Sequence, residues 1–476
     1  MLYRDVGQML KNITVENFKA FKTLNMEIKP ITILIGPNNG GKSSILHAIE
    51  ILKQTIESNT NDILNFNGDI NFGDFGVIHH YNAKESFIRF KLEFEDATYF
   101  DTKIGLNSKH EVDILEYSSF NGKFGLKFED INRISENYKF HFHYSFEDYD
   151  DLTPIDQLLQ EGTLFRDNFF FVLNYSVTDR KKLQSLFLNT MKLVREIDSK
   201  RKKVSKDKAD KALEIINSLL RLQTESTDFN NNIKTKLRNI HYIAPLRALA
   251  KRYYTRGNFS NVGYNGEYAV PIIADNKELF DKTNKILQLL EVTNDMAIEE
   301  KSADKKIISL KMKTVITDNV NFADVGCGTS QLLPIIVEYS LAGDDSLIII
   351  EQPETHLHPK IQQEFTKFIV NDIIQGTNKG KKVIIETHSE YILEKIQTLL
   401  YDSKINKEQL AIYYVDQDPD MKASKIQRIE IDDDGTFSDY PPGYPLNFVI
   451  NESEEQFKIM ARKKAGKKNG RKHKSR

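Results

Sequence analysis

The sequence has 476 residues, of which 40% are hydrophobic and 28% are charged, so it can bury a sizeable core and is not a disordered chain. At roughly 150 residues per domain, this length predicts two or three domains, or one domain that carries a large insertion. No run of about 18 apolar residues is present, and the first residues lack the apolar stretch of a signal peptide. One cysteine, Cys327, excludes an intrachain disulfide and a multi-cysteine zinc site. We therefore expect a cytoplasmic protein with no membrane partner.

The small net charge of −2 conceals a basic C-terminal segment. Residues 461–476 contain nine Lys or Arg and no Asp or Glu, which leaves 57 basic against 68 acidic side chains in the rest of the chain. Such a segment cannot bury apolar area and is expected to be disordered. It is either a solubilising tail or a contact for nucleic acid.

The first elements expected along the chain are two strands and a helix. Ile13 and Val15 alternate with polar positions, which predicts a strand, and a short β-branched run that ends at Ile35 predicts another. An amphipathic helix is expected to begin at about Lys42. This order places a glycine-rich turn between a strand and a helix.

An antiparallel β region is expected next. Short alternating runs extend from Phe87 to Tyr144 and are separated by Asn-Gly and Asn-Ser turns. His141 and His143 alternate with phenylalanines in the last run, so we expect them on the outer face of a strand and not at a metal site.

Between about 177 and 238 the apolar period becomes that of a helix. Two apolar faces are formed by Leu183, Leu186, Phe187, Met191 and Val194, and by Leu213, Ile216 and Leu220. The polar stretch RKKVSKDKADK separates the two, so a helical hairpin or arm that projects from an α/β body is predicted.

Alternation of strands and helices returns in the C-terminal third. A strand at 346–350, a helix from about 359, a strand at 382–386 and a helix from about 389 repeat at the spacing of βαβ units. This pattern favours a parallel sheet.

A phosphate-binding loop is the most specific motif of the sequence. It matches G-x-x-x-x-G-K-[ST] between an apolar strand and an amphipathic helix, and its residues are Gly36, Pro37, Asn38, Asn39, Gly40, Gly41, Lys42, Ser43 and the following Ser44. The glycines let backbone N–H groups close around a β-phosphate, and Lys42 supplies positive charge to the β- and γ-phosphates. The hydroxyl of Ser43 can ligate Mg²⁺. Nucleotide binding with Mg²⁺ is therefore predicted.

Two polar residues downstream fit the same site. Glu351 ends the apolar strand LIIIE, which is where a Walker B acid faces Mg²⁺ and its water shell. His388 comes just after the apolar strand of VIIETHSEYI, where an imidazole can sense a γ-phosphate, whereas an isolated histidine is more often structural.

The segment NFADVGCGTSQLLPII precedes the Glu351 strand and joins a glycine-rich turn to a helix. It resembles the signature segment of ABC ATPases, although it departs from the usual Leu-Ser-Gly-Gly-Gln. In that family the signature of one protomer covers the γ-phosphate bound by the other protomer, so the resemblance implies half of an ATP-sandwich homodimer, or part of a higher homo-oligomer. The contacts that it implies are Gly326, Gly328, Thr329 and Ser330, whose N–H groups can bind phosphate.

Four segments in this order narrow the resemblance: IGPNNGGKSS, DVGCGTSQLLP, IIIEQPETHLHPKIQ and VIIETHSEYIL. Together they resemble bacterial AAA/ABC ATPases related to the OLD family, with SMC proteins as more distant relatives. HYIAPLRALAKRYY, GEY at 266–268, and the segments LAIYYVDQDPD and DYPPGYP are similar to accessory segments of stand-alone ATPases in that group. Such relatives commonly belong to two-gene anti-phage systems in which an ATPase sensor restrains a nuclease or toxin. A separate effector protein is therefore an implied partner.

One position departs from the catalytic pattern of this group. Where ABC ATPases have a general-base glutamate directly after the Walker B acid, this chain has Gln352, and a neutral amide cannot accept a proton from water. Gln352 can still orient the water, and Glu351 or Glu354 could act as the base through relayed contacts. With His388, these residues form the candidate catalytic set, and slow hydrolysis that holds one state is expected.

Two further patterns suggest other chemistry. His356 and His358 form an HxH pair without an evident third ligand, and in this resemblance they lie in the D-loop region at the dimer seam. Asp416 and Asp418 form a D-x-D after an apolar strand, similar to a Toprim metal site, and the simpler interpretation is a turn.

The expected fold is an α/β ABC-type P-loop ATPase head with an antiparallel β region and a helical insertion. We expect an N-terminal lobe at 1–145, an insertion and connecting segment at 146–319, a C-terminal lobe at 320–435 and a basic extension at 436–476. Three functions are carried forward: an ATP-gated regulator of an effector, a DNA repair or maintenance ATPase that grips DNA, and an intrinsic nuclease.

Overall fold

The computed structural model describes residues 9–58, 60, 62–121, 124–134, 137–146, 163–167, 170–174, 224–317, 319–376, 380–432 and 437–438. Its strands are β1 (Leu10–Phe18), β2 (Phe21–Glu27), β3 (Ile31–Ile35), β4 (Phe87–Phe94), β5 (Tyr99–Leu106), β6 (Val112–Phe120), β7 (Phe124–Ile134), β8 (Asn137–Phe146), β9 (Thr163–Asp167), β10 (Phe170–Asn174), β11 (Ile240–Ile243), β12 (Tyr254–Thr255), β13 (Asp295–Glu300), β14 (Ile307–Lys313), β15 (Val320–Asn321), β16 (Leu347–Glu351), β17 (Lys382–Glu386), β18 (Leu410–Asp418), β19 (Ala423–Arg428), β20 (Glu430–Ile431) and β21 (Phe437–Ser438).

The described helices are α1 (Lys42–Glu57), α2 (Phe75–Ile78), α3 (224–238), α4 (Ala269–Asp275), α5 (Lys277–Leu289), α6 (Cys327–Leu341), α7 (Pro359–Ile374) and α8 (Glu390–Tyr401). Short 3₁₀ turns occur at Phe322–Asp324 and Lys407–Gln409. None of these helices is long and apolar enough to cross a membrane.

A six-stranded sheet in the order β11-β16-β17-β3-β18-β19 carries the candidate site. Neighbouring strands are parallel except for the antiparallel pair β18 and β19. β3, β16 and β17 are buried at every residue, as expected for parallel strands that are covered on both faces. Because β17 lies between β3 and β16, the carboxyl ends of these three strands lie side by side.

Two hydrophobic cores lie on opposite faces of this sheet, because side chains alternate along each strand. Ile384 of β17 packs in the core that includes Leu46 of α1 and Phe90 of the antiparallel sheet. Its neighbours Val383 and Ile385 pack in the other core, with α6, α7 and α8. The sheet is thus held between an antiparallel β layer and a helical layer, and this architecture confirms the predicted α/β class.

The second sheet is antiparallel, in the order β2-β1-β4-β5-β6-β7-β8. β4 alternates buried and half-buried residues along its whole length, so one face packs on the core and the other faces outward. The predicted antiparallel region is confirmed. His141 and His143 lie on β8 opposite Glu129 and Lys127, and their side chains lie outside the described part of the structure.

A small third sheet, β12-β14-β13 with β15 against β14, precedes α6 in the chain. The GEY segment at 266–268 lies between β12 and α4 in the chain and packs against α6. Gly266 has φ 74°, and a Cβ on it would lie 2.3 Å from the Cβ of Pro334 in α6. Only glycine fits where this segment meets the helix.

Several predictions fall on residues that the structure does not describe. These are the helical arm and linker within 175–223 and the basic tail at 461–476. Helix α3 is described, and it leads into β11, which pairs with β16 in the central sheet. The segment 146–319 therefore contributes one strand to the parallel sheet.

Candidate nucleotide-binding site

The P-loop joins β3 to α1 and passes close to the backbone of β18. Gly36 and Gly41 have φ 143° and 109°, in the region that favours glycine. A Cβ on Gly36 or Gly40 would lie 2.1 or 2.5 Å from the carbonyl oxygen of Val415. The first turn of α1 has no side-chain cap. The loop is therefore fixed by close packing and leaves helical N–H groups available to an anion.

Lys42 is the cation of this loop and is 4% exposed. Its Nζ donates to the carbonyl oxygens of Gly36 at 3.0 Å and Pro37 at 2.9 Å, and it lies 4.0 Å from Oε1 of Glu386. Burial lowers the pKa of Lys42, and the carboxylates of Glu386, Glu354 and Glu351 oppose this change. The loop thus holds a positive charge beside three acids.

Two carboxylates meet the hydroxyl of Ser43. Its Oγ donates to Oε2 of Glu386 at 3.1 Å and to Oε2 of Glu351 at 3.3 Å, and both glutamates are 3% exposed. Burial and the like charge of Glu386 raise the pKa of Glu351, and burial raises the pKa of Glu386. The two acids therefore hold a proton more readily than separate carboxylates would.

This oxygen cluster has the chemistry that Mg²⁺ requires. Mg²⁺ favours hard oxygen ligands and is usually held beside a nucleotide by one or two carboxylates together with phosphates and waters. Ser43 and Glu351 were predicted as ligands, whereas Glu386 was missed. KVIIE ends in the same residue as LIIIE, but the strand order was needed to show that the two ends meet.

Tyr242 lies on β11 and Arg247 in the loop after it, and both contact the carboxyl end of β16. The hydroxyl of Tyr242 donates to Oε1 of Glu351. Arg247 is 6% exposed and donates to the backbone oxygens of Glu351 and, at 3.1 Å, Gln352. Burial lowers the pKa of Arg247 to about 10, against the attraction of Glu354. Both residues lie in HYIAPLRALAKRYY, and neither was predicted as a site residue.

Gln352 occupies a strained turn at the end of β16. Its φ is 44°, its N–H donates to the Glu386 carbonyl oxygen at 2.7 Å, and its carbonyl oxygen also accepts from the Thr355 hydroxyl at 3.0 Å. Its side-chain amide makes no hydrogen bond to any described residue. The backbone is therefore held firmly while the amide stays available to another group.

Glu354 is hydrogen-bonded to the segment that carries His388. It accepts hydrogen bonds from the Thr387 hydroxyl at 2.8 Å and from the His388 backbone N–H at 2.7 Å. Burial and the charge of Lys42 lower the pKa of His388, which favours a neutral imidazole. Glu354 thus positions the His388 turn with both of its oxygens.

Lys19, in the turn between β1 and β2, is a further cation near the site. Its Nζ lies 2.8 Å from Nδ1 of His47 and 4.7 Å from the centre of the Phe72 ring. Burial lowers the pKa of Lys19 to about 8, and the charge of Glu351 opposes this change. Lys19 was not predicted as a site residue.

The signature-like segment forms the start of α6 and packs against the turn that follows β16. The Thr329 N–H donates to the Gly326 oxygen at 3.0 Å, and the Ser330 hydroxyl donates to the Cys327 oxygen at 2.7 Å. A Cβ on Gly328 would lie 2.6 Å from the His356 carbonyl oxygen. In the part of the chain that the structure describes, no hydrogen bond or ion pair joins residues 326–330 to the P-loop.

The two alternative metal patterns have structural roles. Nδ1 of His358 accepts from the Lys360 N–H at 3.2 Å and so caps α7. Oδ1 of Asp418 accepts from the backbone N–H of Asp420 and of Met421, which forms a turn. Among the described residues, no group of three or more His, Cys, Asp or Glu is arranged to hold a metal ion.

Comparison with known proteins agrees with this geometry. The family model of the AAA ATPase domain matches residues 9–393. Endonuclease GajA of Bacillus cereus is 22% identical over 429 residues, which cover 81% of this chain and 58% of that protein. The OLD nuclease of Thermus scotoductus is 39% identical over 44 residues, or 9% of this chain and 8% of that protein. The chain thus spans less than two thirds of either relative.

Solved structures of SMC heads also align with the chain. The Pyrococcus furiosus Smc head domain with an extended coiled coil, bound to the C-terminal domain of ScpA, gives a TM-score of 0.42 at 10% identity, with 89% of this chain and 96% of that chain covered. The Thermotoga maritima SMC head gives 0.35 at 9% identity, with 89% and 100% covered.

Proposed function

The chain belongs to the AAA ATPase domain family, and we propose that it binds ATP with Mg²⁺ and works as a slow, state-holding ATPase. Two copies would close around ATP, and the closed state would control a separate effector. One observation carries the proposal: Lys42 and Ser43 of the P-loop meet the carboxylates of Glu351 and Glu386 at the ends of neighbouring parallel strands.

Each polar group of the P-loop has a separate proposed role in nucleotide binding. The N–H groups of the loop and the first turn of α1 bind phosphate oxygens. Lys42 exchanges its contacts with the Gly36 and Pro37 carbonyl oxygens for the β- and γ-phosphates. Ser43 and Glu351 would hold Mg²⁺, and the bound ion would neutralise negative charge on the phosphates. The neutral imidazole of His388 offers a hydrogen bond to the γ-phosphate.

Hydrolysis is proposed to be slow because Gln352 stands at the general-base position. Its amide can orient water but cannot accept a proton. Glu354 already accepts two hydrogen bonds, from Thr387 and His388, and this favours a positioning role for it. Glu351 is proposed to ligate the metal. The effector would then respond to ATP binding and closure of the dimer rather than to ATP hydrolysis.

A second copy is proposed to complete the site. Gly326, Gly328, Thr329 and Ser330 would contact the nucleotide of the other protomer, as the resemblance of this segment to the ABC signature implies. The names endonuclease GajA and OLD nuclease favour a nuclease as the effector. A toxin as the alternative effector, and a role in anti-phage defence, are proposed from the resemblance of the sequence motifs alone.

A DNA repair or maintenance ATPase is the second candidate. The nine basic residues within 461–476 favour it, because Lys and Arg clusters bind the phosphate backbone of nucleic acids. The hydrogen-bonded turn at Asp416 to Met421 gives no support to an intrinsic nuclease site there.

Isothermal titration of the full chain with ATP and Mg²⁺ tests the proposed nucleotide site. Wild type should bind, Lys42→Ala should lose binding because the cation of the phosphate cradle is removed, and Lys395→Ala on α8 should bind like wild type. Equal ATP affinity in wild type and Lys42→Ala would refute the assignment.

A further inference from the structure

A polar cavity of about 610 Å³ lies beside α1, apart from the phosphate-binding loop. Five parts of the chain form its walls: α1 with Glu50 and Lys53, the loop 65–69, residues 238–242 at β11, the segment 260–264, and Glu338 of α6. This volume is in the range of pockets that take small molecules.

Glu50 is a buried acceptor in this cavity without a hydrogen-bond donor. It is 1% exposed, and its Oε2 accepts no hydrogen bond within the described ranges. The nearest cation, Lys53, stands 3.8 Å from the other oxygen of Glu50 and donates instead to Glu57 at 2.7 Å. Burying a carboxyl oxygen without a hydrogen-bond partner costs free energy of folding. The position of this oxygen at the cavity therefore points to a ligand that donates a hydrogen bond to it.

The charged side chains that line the cavity indicate the charge of the ligand that it can bind. Four carboxylates line the cavity, those of Glu50, Glu57, Asp69 and Glu338, against the basic side chains of Lys53, Arg238 and His241. Lys53 donates to Glu57 and His241 pairs with Glu338, so the remaining acids are Glu50 and Asp69. An acidic lining disfavours nucleotides and other phosphates and favours a cation.

The remaining walls suit an aliphatic chain. Tyr242 and Tyr264 stack with ring centres 5.6 Å apart, and Ile240 and Val262 lie beside them. Apolar and aromatic surfaces contact methylene groups favourably while a charged end group reaches an acid. An aliphatic diamine or polyamine has both features.

The cavity is lined by side chains of α1, β11 and α6, and each of these elements also carries or contacts a residue of the nucleotide site. α1 begins with Lys42 and Ser43. Tyr242 donates to Glu351, and Glu338 lies on the signature helix α6, where it accepts from the Val262 N–H at 3.2 Å and pairs with Nδ1 of His241 at 2.5 Å. A ligand bound in this cavity would therefore affect the P-loop helix α1, the hydrogen bond from Tyr242 to Glu351, and the signature helix α6 together.

We propose that this cavity binds a small aliphatic polyamine, with one ammonium group on Glu50, and that its occupation changes the affinity of the nucleotide site. The binding step is independent of ATP. The coupling step rests on the proposed function.

Titration of the full chain with spermidine, in the absence of nucleotide, tests the binding step. Wild type and Lys42→Ala should both bind saturably, whereas Glu50→Gln should bind at least about tenfold more weakly, because a charge-assisted hydrogen bond is lost. Glu394→Gln, on the exposed face of α8, is the matched control and should bind like wild type. Asp69 is exposed, so Asp69→Asn leaves the core intact and should weaken binding severalfold. No saturable binding, or equal affinity in wild type, Glu50→Gln and Asp69→Asn, would overturn the proposal.

The coupling step is tested by ATP affinity with and without saturating spermidine. The affinity should change in wild type, and the change should be smaller in Tyr242→Phe, which lacks the hydroxyl that reaches Glu351. Association of spermidine with ATP in solution affects both proteins equally and cancels in this comparison. An equal change in both would refute the coupling. Failure of wild type to bind ATP would refute the proposed function and leave the spermidine result standing.

Discussion

Replacing Glu50 by glutamine should stabilise the folded chain at alkaline pH. Burial raises the pKa of Glu50 from its ordinary value of 4.5 to about 7, with Glu57 and Asp69 adding to the rise and Lys53 opposing it. The folded state therefore binds more protons than the unfolded state between these two values, and stability falls as pH rises through that window. A shift of this size, at about 1.4 kcal/mol per pKa unit, costs the fold about 3 kcal/mol above neutrality.

Tyr264 is another titratable group close to Glu50. Burial and the charges of Glu50 and Asp69 raise the pKa of Tyr264, so its titration lies above the pH window of Glu50. Thermal unfolding of wild type, Glu50→Gln and the control Glu394→Gln should be compared at pH 5 and pH 8. Glu50→Gln should exceed wild type clearly at pH 8 and by much less at pH 5, which lies near the lower end of the window, while the control follows wild type at both. A lower stability of Glu50→Gln at pH 8 would refute the reasoning, because the carboxylate would then be held favourably by Lys53.

Three other changes test separate parts of the account. Gln352→Glu supplies a base at the water position and should raise single-turnover ATP hydrolysis by about 10²–10⁴, with ATP binding unchanged; brisk turnover by wild type would contradict a state-holding role. Truncation after Met460 should weaken nucleic acid binding and flatten its dependence on log salt, because nine basic side chains are lost; unchanged slopes would leave the tail as a solubilising segment. Gly328→Ala should lower thermal stability, because its Cβ would lie 2.6 Å from the His356 backbone oxygen; an unchanged melting temperature would show that this contact relaxes freely.

The local elements of the fold were predictable because their signals are contiguous. The expected helix start at Lys42 and the strand at 382–386 agree with the bounds of α1 and β17. Apolar runs and glycine positions encode these elements within a few residues, so no tertiary information is needed.

The residues that meet across the sheet were harder to predict. Glu386 contacts Ser43 only because β17 is inserted between β3 and β16, and strand order is a property of the whole sheet. Tyr242 and Arg247 reach Glu351 from a strand more than a hundred residues earlier in the chain. The cavity at Glu50 joins α1, β11 and α6, which no spacing rule connects.

Light scattering of the full chain with and without ATP and Mg²⁺ tests whether ATP closes two copies into a dimer. ATP should shift wild type from the mass of one chain to that of two, and Lys42→Ala should keep the mass of one chain under the same conditions. Wild type that stays monomeric at saturating ATP, or a dimer that forms equally without nucleotide and in Lys42→Ala, would contradict an ATP-closed dimer.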